Sequence, residues 1–465
     1  MSSTITMLTP NVPVLGTFLT RFDMKKGNTL IWSQNCDNFP QDSTLAFKSM
    51  PSGIHEEIKD TICFTVNNPS TRSLHFGIAA FKQNSFDLLD HLQSNPIDRD
   101  KVKMFSLGVI LDININESVE YIVDQNMEYY MNKLHLVLKA WLLKNNLQDM
   151  SILKQFNEDH EDQSTLSKCV IRDPLEITFQ SYVKDWVGRL GPLLFTIWKS
   201  TLLNERILIL NLSNENVAKI NSLCHMIKLI SPTSLLNLFT IGISDLDNMK
   251  DILTSKSYIA CTNDSLLEFK PEIYDKLIKI EPTIEGKPQI LIMNNKNVLI
   301  KATPNDLELN SSLFQLLNIK DDISNNIITN YFSITEPLSW TQFFWDELYL
   351  FMTVGYFKPS YHNIKINLSQ DTDNIKPDAN ILPFIIKIFQ NKTKTLRNVL
   401  QTILLSKEFD ELTDDTIYLH PHDLKTLQLD CFSTQDFEFV IKLSKEWFNK
   451  NVEISGLSDY LNIAC

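Results

Sequence analysis

The hydrophobic period of this chain changes sharply near residue 117, and that change limits what it can fold into. Before it, the apolar runs are short and rich in β-branched and aromatic residues: 14–22, 29–33, 62–66, 74–81 and 104–111. Such runs predict strands. Lys25-Lys26-Gly27-Asn28 has turn chemistry, so the first two runs should form a β-hairpin. After the change, Val119, Val123, Met127, Tyr130, Leu134, Val137 and Trp141 recur every three or four positions. That spacing predicts one long amphipathic helix over 117–143 with a single buried face. Strands followed by a covering helix describe an α/β module over residues 1–145.

Residues 144–168 are polar and include Glu158-Asp159-His160-Glu161-Asp162. So little apolar side chain does not offset the entropy of ordering, and 146–169 is expected to be a polar, acidic linker. The block 170–330 alternates again. Helical patterns at 179–199 and 217–230 alternate with strand patterns at 206–212, 239–243, 258–261 and 289–293. RILILNL at 206–212 is apolar without alternation, as in a strand buried on both faces. The expected architecture is a larger α/β lobe with a central, mostly parallel sheet. From 331 to 465 helical patterns dominate, at 341–354, 381–405, 422–429 and 434–449, with a polar connection at 371–380.

Composition narrows the function. The 43 basic and 56 acidic residues leave a formal charge of −13, which argues against a broad nucleic-acid surface. Only 11 of 465 residues are glycine, and neither a P-loop nor a dinucleotide fingerprint occurs. HExxH, GxSxG and CxxC are absent as well. The seven cysteines are irregularly spaced, which fits reduced thiols in a cytoplasmic protein. No apolar run approaches the ~18–20 residues of a membrane span, and the N-terminal residues do not read as a secretory signal. Cys224-His225 reads as one buried thiol beside one exposed imidazole, since neighbours on a helix face apart. His420-Pro421-His422 reads as a proline at a helix start rather than a metal site. The terminal Cys465 is not a prenylation box. No cofactor and no metal is expected, and no catalytic constellation stands out.

Several short motifs resemble the DENN-domain family, closest to its LCHN-like branch and fungal relatives. Phe22-Asp23-Met24-Lys25-Lys26-Gly27 followed by Ile31-Trp32-Ser33 resembles the opening hairpin of the family's N-terminal longin lobe. Met50-Pro51-Ser52-Gly53-Ile54-His55 and Leu74-His75-Phe76-Gly77-Ile78-Ala79-Ala80-Phe81 resemble the next two segments. Further on, Glu205-Arg206-Ile207-Leu208-Ile209 and Ile243-Ser244-Asp245-Leu246-Asp247 resemble strand segments of the second lobe. Tyr258-Ile259-Ala260-Cys261-Thr262-Asn263-Asp264 and Lys270-Pro271-Glu272-Ile273-Tyr274-Asp275 complete the set. The matches run from about residue 14 to about 280. The sequence departs from the family in two places. Asn263 stands where a second threonine is usual, and Asp98-Arg99-Asp100 lacks the usual arginine–glycine pair.

The resemblance implies a tripartite plan: a longin-like lobe over 1–145, a linker over 146–169, a second lobe over 170–330 and a helical region over 331–465. It implies binding to a small GTPase of the Rab class, with GDP release favoured by gripping the switch regions. Such exchange needs no acid, base or metal of its own, so whether the chain counts as an enzyme stays open. Asp245, Asp247 and Asp264 follow strands, where ligands of α/β sheets gather, and are candidate GTPase contacts. Asp264 could equally cap the helix that follows. Arg99 is a further candidate. In folliculin-like relatives a similarly placed arginine acts as a finger in GTP hydrolysis. The alternatives are therefore a GTPase-activating or scaffolding role, or a non-catalytic interaction protein. The resemblance also implies a cytoplasmic protein in vesicle traffic, transient recruitment to organelle or vesicle membranes, and hetero- or homodimers through the longin lobe.

Overall fold

The computed structural model describes residues 8–40, 44–51, 58–83, 103–115, 120–144, 146–171, 179–213, 215–232, 234–282, 289–317, 331–337, 381–410 and 416–454. They fall into two compact units. The first is Met1–Asp185 with Arg206–Leu229 and Ser234–Asn297, the second Trp186–Glu205 with Ile230–Thr233 and Val298–Cys465. The helical pattern at 341–354 and the polar connection at 371–380 lie outside the described residues.

The first unit opens with the expected hairpin. β1 (Val14–Asp23) and β2 (Gly27–Gln34) pair antiparallel from Thr17↔Gln34 to Asp23↔Gly27. Gly27 has φ +75°, a conformation glycine adopts without steric cost. The Asp23 carboxylate accepts the Lys25 and Lys26 backbone N–H groups at 2.9 and 3.1 Å and so closes the turn. β3 (Lys59–Asn67), β4 (Leu74–Gln83) and β5 (Met104–Asn114) complete an antiparallel meander in the order β3-β4-β5-β1-β2. Its close packing explains two of the scarce glycines. A Cβ at Gly77 would overlap the Phe64 ring, and one at Gly108 the Phe18 ring.

Helix α1 (Glu120–Leu142) covers one face of the meander. Met127, Tyr130, Leu134, Val137 and Trp141 are buried there, as their spacing requires. They pack with Phe76, Ile78, Leu107 and Val109. The opposite face packs Phe18, Phe64 and Phe81 against Leu45 and Met50.

The polar stretch after α1 is a correction to the sequence reading. Rather than an unstructured linker, Ser151–His160 forms helix α2. Its buried residues are Leu153, Phe156, Asn157 and His160, one helical face at i, i+3, i+4 and i+7. Two of these are polar, and the fold satisfies both. Asn157 accepts from the Thr17 hydroxyl at 2.7 Å, and His160 Nε2 lies 2.8 Å from the Tyr129 hydroxyl. Burial lowers the His160 pKa to about 4, so the ring is neutral there.

Within the first unit the sheet continues through β6 (Ile207–Asn211), β7 (Leu236–Thr240), β8 (Tyr258–Thr262), β9 (Lys276–Glu281) and β10 (Gln289–Asn294). Within this unit the order is β10-β9-β6-β8-β7-β3-β4-β5-β1-β2. The pairs β9/β6, β6/β8, β8/β7 and β7/β3 are parallel. β10/β9 and the whole meander are antiparallel. The fold is thus mixed α/β, and the expectation of a separate, mostly parallel sheet holds only for its centre. Helix α3 (Val217–Ile230) follows β6. Asp60, buried at the start of β3, accepts from the backbone N–H of Val217 at 2.8 Å and of Ala218 at 3.1 Å. A carboxylate there satisfies N–H groups the first helical turn leaves open. His225 also departs from expectation: it is buried with Cys224, between Phe179 and Phe239.

The helical pattern at 179–199 is broken, and the second unit takes it up from Trp186. Phe179–Leu190 and Leu193–Leu202 are separate helices, divided where Gly191 takes φ +51° before Pro192. Pro304–Leu316, Ile381–Asp410, Pro421–Thr426 and Thr434–Phe448 are further helices. Lys199 is buried between two carboxylates, 2.8 Å from Asp306 and 2.6 Å from Asp436. It thereby ties three of these helices together. His420 caps Pro421–Thr426, with its backbone N–H donating to Asp423 at 2.8 Å.

Candidate functional site

Parallel strands leave their carboxyl ends on one side, and helix-capping loops collect there. In the first unit the carboxyl ends of β6, β7 and β8 carry Asn211, Thr240 and Thr262. Asn211 Nδ2 donates to the Glu215 carbonyl at 3.0 Å and to Asn263 at 3.3 Å. Asn221 of α3 accepts from the Thr240 hydroxyl at 3.1 Å and from the Cys261 thiol at 3.2 Å. Burial and the hydrogen-bonded Cys261 thiol push the neighbouring Cys224 thiol well above its ordinary pKa. It stays protonated, and no nucleophile is generated here.

The loop after β7 holds two of the sequence-derived candidates, and they differ. Asp245 is 1% exposed and forms an ion pair of 2.6 Å with Lys48, itself buried. Its other carboxylate oxygen accepts from Gly242 N–H at 2.9 Å. The Lys48 ammonium also donates to the Thr65 carbonyl of β3. Asp245 therefore anchors the loop and presents no free face. Asp247, two residues on, is exposed.

The loop after β8 holds Asp264. Its carboxylate accepts from Leu266 N–H at 3.1 Å and caps the short 3-10 turn Ser265–Phe269. Three residues make one turn of a 3-10 helix, so i and i+3 share a face. Leu266 and Phe269 share such a face and are 58% and 74% exposed, while Leu267 between them is fully buried. The turn is held firmly. The Tyr274 hydroxyl donates to the Glu268 carbonyl at 2.6 Å, and Lys279 pairs with the Glu268 carboxylate at 2.9 Å. Burial works against the Lys279 charge, but Glu268 outweighs it and holds that pKa above its ordinary value.

Two more exposed apolar residues border the same loops. Ile243 precedes the Asp245 turn, and Phe47 sits beside Lys48. The Phe47 segment is joined to the β7 loop by the Lys48–Asp245 pair and by Asn248 Nδ2, which donates to Thr44 at 3.1 Å. Phe47, Ile243, Leu266, Phe269 and Asp247 are thus all exposed on segments at one end of the sheet. Sequence reading missed the four apolar ones, because nothing in LLEF or AFK distinguishes an exposed from a buried aromatic. The only signal was the Asp264 cap, which fixes the phase of the turn. Arg99 lies outside the described residues, as do 52–55 of the MPSGIH motif and Cys465.

The family motifs find structural roles here. Arg206 donates to both carboxylate oxygens of Asp275, at 2.9 and 2.8 Å, and to the Leu253 and Glu272 carbonyls. It clamps the start of β6 to the start of β9. Among the described residues no helix is long and apolar enough to cross a membrane.

A family model described as a domain of unknown function (DUF4484) matches residues 362–459. The chain is 33% identical over 488 aligned positions to "Uncharacterized protein ANR2" of Saccharomyces cerevisiae, covering 96% of this chain and 94% of that protein. It is 23% identical over 286 positions to "Uncharacterized protein C119.16c" of Schizosaccharomyces pombe, covering 59% of this chain and 54% of that protein. The model for DENN domain-containing protein 11 matches residues 17–289, the hairpin, the central parallel strands and both loops included. That match spans more than half of the sequence, and the chain belongs to the DENN domain-containing protein 11 family.

Proposed function

We propose that this chain binds a small GTPase of the Rab class and promotes its release of GDP. The observation that carries this reading is the set of exposed residues at that end of the sheet, the apolar Phe47, Ile243, Leu266 and Phe269 and the acidic Asp247. Aromatic anchors held on rigid turns are what binding hot spots consist of. The anchors come from the segment between β2 and β3, which packs on the N-terminal meander, and from the loops after β7 and β8, as a GTPase seated across the longin-like and second lobes would require. Exchange then follows from differential affinity. A surface that grips the switch regions better in their nucleotide-free arrangement shifts the population toward it, and GDP leaves. No general acid, base or metal takes part. On this reading the protein acts in vesicle traffic from the cytoplasm, with lobe boundaries near 145, 170 and 330.

The test is release of a fluorescent GDP analogue from a panel of purified Rab GTPases, with and without the protein. Acceleration for one or two members is expected, and Phe269→Ser together with Asp247→Lys should abolish it without altering thermal stability. Stimulated GTP hydrolysis that Arg99→Ala removes would replace exchange with the activating role. Binding without any rate change would leave a scaffold, and no binding by any member would overturn the proposal.

A further inference from the structure

The opposite end of the same sheet has a different character. The tip of the β1–β2 hairpin presents Met24, 57% exposed, followed by the exposed Lys25 and Lys26. The one carboxylate of that turn, Asp23, caps Lys25 and Lys26 through their backbone N–H groups and pairs with Arg21 at 3.2 Å. The register then places more cations beside the tip. Arg21 lies opposite Phe105 on β5, Phe105 opposite Lys82 on β4, and Lys82 opposite Lys59 on β3. Lys103 enters β5 at this end. The last turns of α1 reach it too, since Trp141 packs on Phe105 and His135 lies 2.8 Å from the Thr61 hydroxyl. They bring the exposed Lys139 and, just past the helix, Leu143, 76% exposed. Ile58, 45% exposed, precedes β3 at the same end.

Positive potential here registers on a neighbour. Burial, reinforced by Lys59 and Lys82, holds the His135 pKa down to about 3. That potential belongs to a chain of net charge −13, so it is local. The residues connecting β4 to β5 carry four aspartates against Arg99 and Lys101. At the hairpin tip itself the exposed side chains are Met24 followed by the two cations Lys25 and Lys26.

We propose that this end of the first unit, led by Met24, Lys25 and Lys26, is a peripheral membrane contact selective for anionic lipid headgroups. Charge complementarity supplies the attraction, worth about 1 kcal/mol per lysine near such a surface, a factor of about five. The exposed apolar side chains of Met24, Ile58 and Leu143 at the same end favour a bilayer over a soluble acidic partner, because apolar tips gain by entering the headgroup boundary. The contact would leave the Phe47–Phe269 end of the sheet facing away from the bilayer.

The experiment is co-sedimentation of the full chain with vesicles of phosphatidylcholine alone or with about 30% phosphatidylserine. Binding to the anionic vesicles only, weakening as salt rises, is expected. Lys25→Ala with Lys26→Ala should weaken it at least about tenfold, and Met24→Asp should weaken it further. Both variants should keep the wild-type unfolding midpoint. Equal binding to neutral vesicles, or variants that bind like wild type, would overturn the proposal. So would Met24→Asp leaving vesicle binding intact while free polyglutamate competes for the lysines, which would assign the surface to an acidic protein. Vesicle binding needs no GTPase, so it can fail or succeed independently of exchange activity.

Discussion

Asp245 and Asp247 are two residues apart and have the same side chain, yet the structure assigns them opposite fates, and that difference can be measured. Asp245 is buried against Lys48, with side-chain exposures of 1% and 3% and a separation of 2.6 Å. Replacing Asp245 by Ala leaves an ammonium in the interior with only the Thr65 carbonyl for company. Breaking one partner of such a pair costs about 3–5 kcal/mol, a large share of a typical total of about 5–15. The loop loses its Gly242 N–H acceptor as well. Asp247→Ala removes an exposed carboxylate and should change stability by no more than about 0.5 kcal/mol. Replacing the pair, Lys48→Met with Asp245→Leu, removes both charges and should recover most of the loss. Urea unfolding of the wild type and these three variants measures the differences. Asp245→Ala unfolding at the same urea concentration as Asp247→Ala would refute the reasoning. So would a double variant no better than the single one.

Three further outcomes follow from packing and burial. Burial, with Asp436 and Glu336 nearby, raises the Asp430 pKa from 3.8 to about 6. The folded state therefore keeps a proton that the unfolded chain loses between about pH 4 and 6, and stability falls as pH rises through that window. Asp430→Asn, which can still accept the Phe432 N–H, should raise stability by up to about 3 kcal/mol above pH 6 and change little near pH 4, as urea midpoints at the two pH values would show. Lys199→Met strands the buried carboxylates of Asp306 and Asp436 and should cost about 3–5 kcal/mol near neutral pH, partly relieved on acidification, by the same measurement. Gly108→Ala drives a methyl into the Phe18 ring and should lower the thermal midpoint by an amount equivalent to about 1–3 kcal/mol, whereas Gly188→Ala, with open space around its Cβ, should not.

What could be read from sequence depended on whether a physical signal has a period. The hairpin, β3, β4, β5 and α1 were legible because turn chemistry, runs of β-branched and aromatic residues, or a 3.6-residue stripe are written directly in residue type. α2 was not, although Leu153, Phe156, Asn157 and His160 have the right spacing. Half of its buried face is polar, and only Thr17 and Tyr129, far away in the chain, make those residues acceptable inside. The continuous sheet was illegible for a related reason. β3 joins β7 through a single residue pair, Phe64↔Thr240, and Asp60 caps α3 across more than 150 residues of chain. Such long-range contacts leave no local pattern. The candidate site splits the same way. Asp264 as a cap could be anticipated from its place before a turn, and was weighed as one. Asp245 and Asp247 have identical local chemistry, and only the position of Lys48 separates an anchor from an exposed contact. Leu266 and Phe269 required knowing that Leu267, and not they, points inward. The proposed GTPase contact depends on which residues the turns leave exposed, so solution binding by Phe269 and Asp247 variants tests it more directly than any motif does.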